Sequence, residues 1–157
     1  MRIRPAIIDD STSIGQVVRA AYRPYLARLP QPPAPLAVDY RCAVANGGIF
    51  VAVIEDTIRG LVAVRASGPC FWLDNVAVDP VAQGCGIGRA LIGYAETLAR
   101  RAGHDHIHLY THALMTENQA LYASLGFIET ERGREHGRDR VFMHKPLAAR
   151  SGDNLSP

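Results

Sequence analysis

The hydrophobic positions of this chain fall into short runs, and the spacing within each run predicts secondary structure. Residues 2–8 form a first apolar run that predicts a strand, and Asp9-Asp10-Ser11 after it can cap a helix. The next apolar residues recur at helical spacing: Ile14, Val17, Val18 and Ala21. Residues 49–54 and 58–65 are rich in β-branched side chains and flank Glu55-Asp56-Thr57, which predicts two strands joined by a tight hairpin.

Between the first helix and this hairpin, residues 23–35 contain five prolines: Pro24, Pro30, Pro32, Pro33 and Pro35. Proline lacks a backbone N–H and restricts φ, so this segment predicts an ordered loop rather than regular helix or central strand. A second helix is expected to begin near Pro35 and to end at Asn46, because proline favours the start of a helix and Gly47-Gly48 its end.

The second half of the chain alternates strands and helices. Residues 71–78 predict a strand, and the next helix carries its apolar face on Ile87, Leu91, Ala95, Leu98 and Ala102 before Gly103 ends it. Residues 107–111 predict another strand. Thr116 to Gln119 fits a capping box that opens a short helix closed by Gly126. Residues 127–131 and 140–145 then flank His136-Gly137, which indicates a terminal hairpin.

This order of elements predicts an α/β chain with a central mixed sheet of six to seven strands and helices on both faces. We expect one domain over residues 1–147, because 157 residues are enough for a single core. Residues 148–157 are small and polar and predict a disordered tail.

Composition narrows the function classes. The net charge is only +2, with 48% apolar and 20% charged residues, so nothing indicates a nucleic-acid partner. No apolar run is long enough for a membrane span, and Met1-Arg2-Ile3-Arg4-Pro5 lacks the apolar core of a signal peptide, so we expect a cytoplasmic protein. Three isolated cysteines argue against a disulfide framework or a zinc site: Cys42, Cys70 and Cys85.

The segment from Gln83 to Arg89 carries the strongest chemical signal. Three glycines at alternate positions lie between the predicted strand and helix, and the first N–H groups of a helix have no partner within it. The helix dipole adds partial positive charge at the same place, so the segment predicts an anion site for a phosphate or diphosphate. A nucleoside-triphosphate loop would need Gly-Lys-Ser/Thr, but Arg89-Ala90 follow Gly88; the dinucleotide spacing GxGxxG is also absent.

The pattern Gln-x-x-Gly-x-Gly at Gln83, Gly86 and Gly88 resembles the acyl-CoA loop of the GNAT N-acetyltransferase superfamily. The resemblance covers about residues 70–130. It includes Val76-Ala77-Val78-Asp79-Pro80 before the loop, and after it Leu109-Tyr110-Thr111, Asn118, Ala120, Leu121, Tyr122 and Leu125-Gly126-Phe127.

This resemblance implies that the fourth and fifth strands splay apart and that acetyl-CoA, the cosubstrate, enters the cleft between them. It further implies a set of cofactor-binding residues: Val76, Ala77, Val78, Gln83, Gly84, Cys85, Gly86, Ile87, Gly88, Arg89, Asn118 and Tyr122. In the family pattern a backbone N–H at Val76 receives the oxyanion, Tyr122 protonates the departing thiolate, and Asp74 corresponds to a general base.

The implied function is N-acetylation of a primary amine on a small molecule or peptide by direct attack; the alternative is a non-catalytic acyl-CoA-binding regulatory module. A homodimer is common among such proteins. The base stays open between Asp74, His108, His112 and water. Cys85 is disfavoured as a nucleophile, because it lies in the phosphate loop without a paired histidine.

Three further patterns in the sequence have a structural interpretation beside the functional one. The histidines of residues 104–112 share one predicted strand without an evident ligand from a second strand, so no metal is expected. The arginines of residues 132–140 are interleaved with acids and indicate a solvated hairpin. The loop after the first helix contains Tyr22, Arg23, Tyr25 and Arg28, which would suit a small polar or anionic amine or simply pack the loop.

Overall fold

The predicted order of strands and helices is confirmed by the structure, a computed structural model that describes residues 1–148. The strands are β1 (Arg2–Pro5), β2 (Ile49–Ile54), β3 (Thr57–Ser67), β4 (Cys70–Val78), β5 (His106–His112), β6 (Ile128–Glu135) and β7 (Arg138–Pro146). The α-helices are α1 (Ser11–Tyr22), α2 (Tyr40–Asn46), α3 (Ile87–Arg101) and α4 (Thr116–Ser124). All of the predicted tail except Ala148 lies outside the described residues.

The seven strands form one mixed sheet in the order β1-β2-β3-β4-β5-β7-β6. Only β4 and β5 run parallel, and every other neighbouring pair is antiparallel. No helix within the described residues is both long and apolar enough to cross a membrane.

Helices cover both faces of the sheet, and each face has its own core. On one face, α1 and α2 pack against alternate residues of β2 and β3, including Val51 and Leu61. On the other face, α3 packs against the intervening residues, including Val62. Gly60 brings α3 close to β3, because a Cβ there would lie 3.0 Å from Leu91 Cδ1. This close packing fixes where the first turn of α3 stands over the sheet.

One predicted helix start and one predicted capping box are wrong. Helix α2 begins at Tyr40 rather than near Pro35, because the Asp39 side chain caps it by accepting the N–H groups of Arg41 and Cys42. The capping box predicted for α4 does not form, since the cap position is Met115 and Gln119 Nε2 instead donates to two carbonyl oxygens before the helix.

A bulge in β4 changes which side chains face each layer. The register passes from Ala63↔Asn75 to Val64↔Leu73, so Asp74 is an extra residue without a direct partner on β3. Before the bulge Leu73 joins the core beneath α3, whereas beyond it Ala77 joins the core beneath α1. The bulge therefore reverses which face of the sheet each later side chain of β4, including Val76, points toward.

Candidate active site

The fourth and fifth strands separate beyond a single point of contact. Their parallel pairing consists of Trp72↔His108, and β5 pairs along the rest of its length with β7. The edge of β4 from Leu73 to Val78 consequently has no strand partner on that side. This is the cleft that the family resemblance implies.

The backbone groups of Val76 and Val78 face this cleft. The N–H of Asp79 donates to the carbonyl of Arg59 at 2.8 Å, so residue 79 points toward β3. Backbone groups alternate in direction along an antiparallel strand, so Ala77 also points toward β3, and Val76 and Val78 point away. The Val78 carbonyl supports this assignment, because it accepts a hydrogen bond from Gln83 Nε2 at 3.4 Å.

Ala77 therefore has no free backbone group for a cofactor. Its N–H faces β3, and its side chain is buried in the core beneath α1. We assign Ala77 a packing role in place of the direct cofactor contact that the resemblance implied.

The glycine-rich segment leaves a row of N–H groups unbonded. Gly84 and Gly86 have φ of +82° and +80°, a conformation that side chains with a Cβ rarely adopt, and Gly86 is the cap residue of α3. The first backbone N–H after this segment that forms a hydrogen bond within the protein is that of Ala90, which donates to the Gly86 carbonyl at 3.1 Å. None of the N–H groups from Gly84 to Arg89 donates to an acceptor in residues 1–148. Unbonded N–H groups at a helix start are what the predicted anion site requires.

One side chain of this segment is buried in the core, and three others are exposed. Ile87 is buried with 2% exposure and holds the first turn of α3 in the core. Gln83, Cys85 and Arg89 are exposed, and Arg89 makes no ion pair with a described residue. Arg89 is thus available to an anion beside the loop.

A cavity of about 510 Å³ opens against the same stretch of β4. Its walls come from the proline-rich loop, the middle of β3 and β4, the end of β5, α4 and the start of β7. Asp74, Val76, Asn118 and Tyr122 all line it, so the structure brings four of the predicted site residues together.

Tyr122 is the buried aromatic of this wall. Its ring packs edge-on against Phe127 at 5.7 Å between centroids, and the residue is 8% exposed. Its hydroxyl makes no hydrogen bond with a described residue, although the side chain lines the cavity. Burial, together with nearby Tyr25, raises the pKa of Tyr122 to about 12. The hydroxyl therefore remains a proton donor throughout the ordinary pH range.

Asp74 is held by a neighbouring arginine. Arg65 Nε and Nη2 donate to its two carboxylate oxygens at 3.0 and 3.1 Å. A carboxylate occupied at both oxygens is poorly placed to take a proton from an amine.

The two histidine candidates for the base are also constrained. His112 lines the cavity, but its Nδ1 is already occupied, because it accepts the N–H of Leu114 at 3.1 Å. His108 lies outside the cavity wall and packs against Trp72 at 5.3 Å. Burial and the neighbouring His144 and His106 lower the pKa of His108.

The sequence analysis did not predict that a histidine of a second strand lies beside those of β5. His144 of β7 lies opposite His108 in the register, and its ring centroid is 5.1 Å from that of His106. Only strand pairing could have shown this proximity. Within residues 1–148 no group of three potential ligands has the arrangement that would hold a metal ion.

The arginines that line the cavity are not those of the proline-rich loop. Arg28 pairs with Glu117 at 2.6 Å and lies over the Tyr25 ring, so these residues pack the loop rather than line the cavity. Tyr22 does line it. The arginines in the wall are Arg65, Arg138 and Arg140.

The prediction of a solvated hairpin therefore fails for its last part. Arg132 is exposed and pairs with Glu129 at 2.6 Å, as that prediction requires. Arg140, in contrast, is 8% exposed and lies over the Tyr110 ring at 4.1 Å. Strand pairing between β5 and β7 places it inside the cavity, since Arg140 is the register partner of His112.

Comparison with known proteins agrees with this architecture. The profile of the Acetyltransferase (GNAT) family matches residues 15–127, and the chain belongs to that family. An "IAA acetyltransferase" of Azospirillum brasilense is 33% identical over 90 residues, which are 56% of this chain. The chain spans only 59% of that relative's length.

Solved structures share the whole fold at low sequence identity. The PaiA N-acetyltransferase of Thermoplasma acidophilum, in complex with coenzyme A, is 18% identical with a TM-score of 0.75, covering 92% of this chain and 98% of that one. The ribosomal-protein-S18-alanine N-acetyltransferase of Escherichia coli is 22% identical with a TM-score of 0.74, covering 99% of both chains. At such identities the likeness establishes the fold.

Proposed function

We propose that this protein is an N-acetyltransferase that transfers acetyl from acetyl-CoA to a primary amine by direct attack, within one domain formed by residues 1–147. The observation that carries the proposal is the continuous path along β4. The free N–H groups of the glycine segment lie at one end, the unpaired edge at Val76 and Val78 in the middle, and the cavity at the other end. Membership of the family and the names of its relatives support the same activity.

The chain's residues fit acetyl-CoA, which supplies an activated acetyl thioester. The N–H groups from Gly84 to Arg89 would bind the diphosphate, with the exposed Arg89 guanidinium beside them. Val76 and Val78 would pair with the amides of the pantetheine arm as a neighbouring strand does, and Asn118 would hydrogen-bond the arm from the cavity wall.

Two groups then act on the developing charges. The Val76 N–H is fixed by the strand and directed into the cleft, where it would stabilise negative charge on the acyl oxygen. Tyr122 would donate its hydroxyl proton in a hydrogen bond to the thiolate sulfur as the carbon–sulfur bond breaks. Neither group forms a covalent intermediate with the acetyl group.

We assign the removal of the amine's proton to water in the cavity rather than to a side chain. Both carboxylate oxygens of Asp74 accept from Arg65, His112 Nδ1 accepts from Leu114, and His108 lies outside the cavity wall. The proton passes through water to solvent, and Asp74 serves to position Arg65.

We therefore expect Asp74→Asn to lower kcat less than about tenfold, because loss of a true general base costs roughly a hundredfold or more. The acidic limb of the pH profile of kcat/KM is expected to stay in place. The measurement is the steady-state kcat and kcat/KM of Asp74→Asn, compared with those of His112→Gln. A loss above a hundredfold in the first variant alone would return the base role to Asp74.

The activity itself is tested with purified protein, acetyl-CoA and a panel of primary amines, by following thiol release and the acetylated product. Saturable acetyl-CoA binding with turnover of at least one amine is expected. Saturable binding without turnover of any amine would favour the alternative, a non-catalytic acyl-CoA-binding module. The homodimer stays a prediction, which light scattering on the eluted protein tests.

A further inference from the structure

The wall of the acceptor cavity contains two unpartnered hydrogen-bond donors and more arginines than carboxylates. We propose that the natural acceptor is a small amine that also carries an oxyanion group, a carboxylate or phosphate, bound by Arg138 with Asn75. This inference rests on the proposed acetyltransferase function and names the class of its second substrate.

Two enclosed donors in the cavity wall have no acceptor in residues 1–148: Arg138 Nε and Asn75 Nδ2. Asn75 is 7% exposed, and its other side-chain atom, Oδ1, already accepts the Tyr22 hydroxyl at 2.6 Å. That hydrogen bond orients the amide with its nitrogen as the unsatisfied atom. The neighbouring Tyr40 hydroxyl donates its proton to the Pro35 carbonyl at 2.7 Å.

An enclosed donor without a partner costs free energy, so a ligand oxygen that reaches either atom through a small shift of the wall would recover that free energy. Both orphan atoms are N–H donors, so the missing partner is an acceptor. A carboxylate or phosphate oxygen meets this need more strongly than a neutral carbonyl, because the hydrogen bond from a guanidinium is then charge-assisted.

The charged side chains of the cavity wall also favour an anionic ligand. Three arginines line the cavity, Arg65, Arg138 and Arg140, against one carboxylate, that of Asp74. Asp74 is paired with Arg65, and Arg140 is paired at 2.6 Å with Glu135, which is exposed and outside the lining. Arg138 makes no ion pair within the described residues, so its charge is available to an acceptor.

The arginine fork is held in place before any ligand arrives. Arg138 Nη2 donates to the Pro32 carbonyl at 3.2 Å, and Gln31 Nε2 donates to the Gly137 carbonyl at 3.4 Å. These contacts join the tip of the β6–β7 hairpin to the proline-rich loop, and both segments contribute to the cavity wall. A volume of about 510 Å³ suits a small molecule, and the surplus positive charge opposes polyamines and lysine side chains.

The test is a matched acceptor panel at saturating acetyl-CoA. It contains the common amino acids as free acids and as carboxamides, O-phosphoethanolamine with ethanolamine, and spermidine with a lysine peptide as cationic amines. At least one anionic member is expected to exceed its neutral partner in kcat/KM by about tenfold or more. The amino-acid and phosphate arms then distinguish a carboxylate from a phosphate. Preference for the neutral or cationic member throughout would overturn the proposal.

Arg138→Gln is expected to reduce that preference by roughly ten- to a hundredfold, while the Kd for acetyl-CoA is unchanged. The control Arg132→Gln removes an exposed arginine of the same hairpin and should keep the wild-type preference. Arg138→Lys, which keeps the charge but lacks the Nε donor, should keep part of it. Full preference in a folded Arg138→Gln variant would also overturn the proposal, and the wild-type panel decides the matter if that variant does not fold.

Failure of the proposed function gives a different result. If no amine is acetylated, calorimetry with the N-acetylated acids and carboxamides of the same panel measures the cavity directly. Tighter binding of the acids, lost in Arg138→Gln, supports the oxyanion site without any turnover. Equal or weaker binding of the acids rejects it.

Discussion

Replacing Gly88 by aspartate is expected to weaken acetyl-CoA binding by on the order of a hundredfold. The new carboxylate would stand in the first turn of α3, beside the N–H groups that we assign to the diphosphate. At an effective dielectric constant near 20, two like charges about 6 Å apart repel by roughly 3 kcal/mol, which corresponds to about two orders of magnitude in Kd.

The fold is expected to tolerate this change. A Cβ at residue 88 would lie 3.7 Å from Val78 Cγ2, which is ordinary contact, and φ there is not in the left-handed region. An acidic side chain in the first turn also interacts favourably with the helix dipole. Gly88→Asn is the matched control, since it adds nearly the same volume without the charge.

Isothermal titration calorimetry of both variants and wild type, with thermal melts alongside, separates charge from size. Equal loss of affinity in the two variants would mean that crowding alone matters. Wild-type affinity in Gly88→Asp would place the diphosphate elsewhere and remove the main support of the proposed function.

Replacing Tyr122 by phenylalanine is expected to lower kcat by roughly ten- to a hundredfold and to leave the Kd for acetyl-CoA within about threefold. The lost group is a single hydrogen bond to a charged atom, and such bonds contribute about 1.5–3 kcal/mol. The ring should keep its place, because its packing on Phe127 does not involve the hydroxyl.

The raised pKa refines the role of this hydroxyl. A thiol has a pKa near 8.5, so transfer of the proton from Tyr122, with its pKa of about 12, would be uphill by about 3.5 units, or roughly 5 kcal/mol. We therefore expect Tyr122 to stabilise the thiolate by hydrogen bonding and to keep its proton, while the thiolate is protonated from water.

Single-turnover kinetics of Tyr122→Phe with the best amine of the panel measure this effect. The control Tyr94→Phe removes the hydroxyl of a tyrosine on α3 that packs against Phe50, away from the cavity, and should be silent. Wild-type kcat in Tyr122→Phe would assign thiolate stabilisation to another group. A basic limb near pH 10 that disappears in the variant would instead show that the hydroxyl titrates.

The sequence determined the parts of the site that depend on neighbouring residues. The glycines before α3 predicted free N–H groups at the helix start, because this property arises within a few residues of backbone. Tyr122 follows Asn118 by four residues, so helical geometry alone placed both on one face, and the cavity confirms that placement.

The sequence also fixed the order of strands and helices, since each carries its own hydrophobic period. It was less accurate at helix starts, where capping competes with other local bonds. Asp39 caps α2 in place of a start near Pro35, and the capping box expected at Thr116 does not form.

Only the tertiary structure decided which distant residues share the site. The bulge at Asp74 and the separation of β4 from β5 are properties of strand register, which no local pattern specifies. The same pairing brings Arg65 to Asp74 and carries Arg140 into the cavity wall. Local chemistry therefore determined the free N–H groups that we assign to the acyl donor. The character of the acceptor cavity arises from contacts between segments far apart in the chain, because only the paired sheet sets which charges remain uncompensated there.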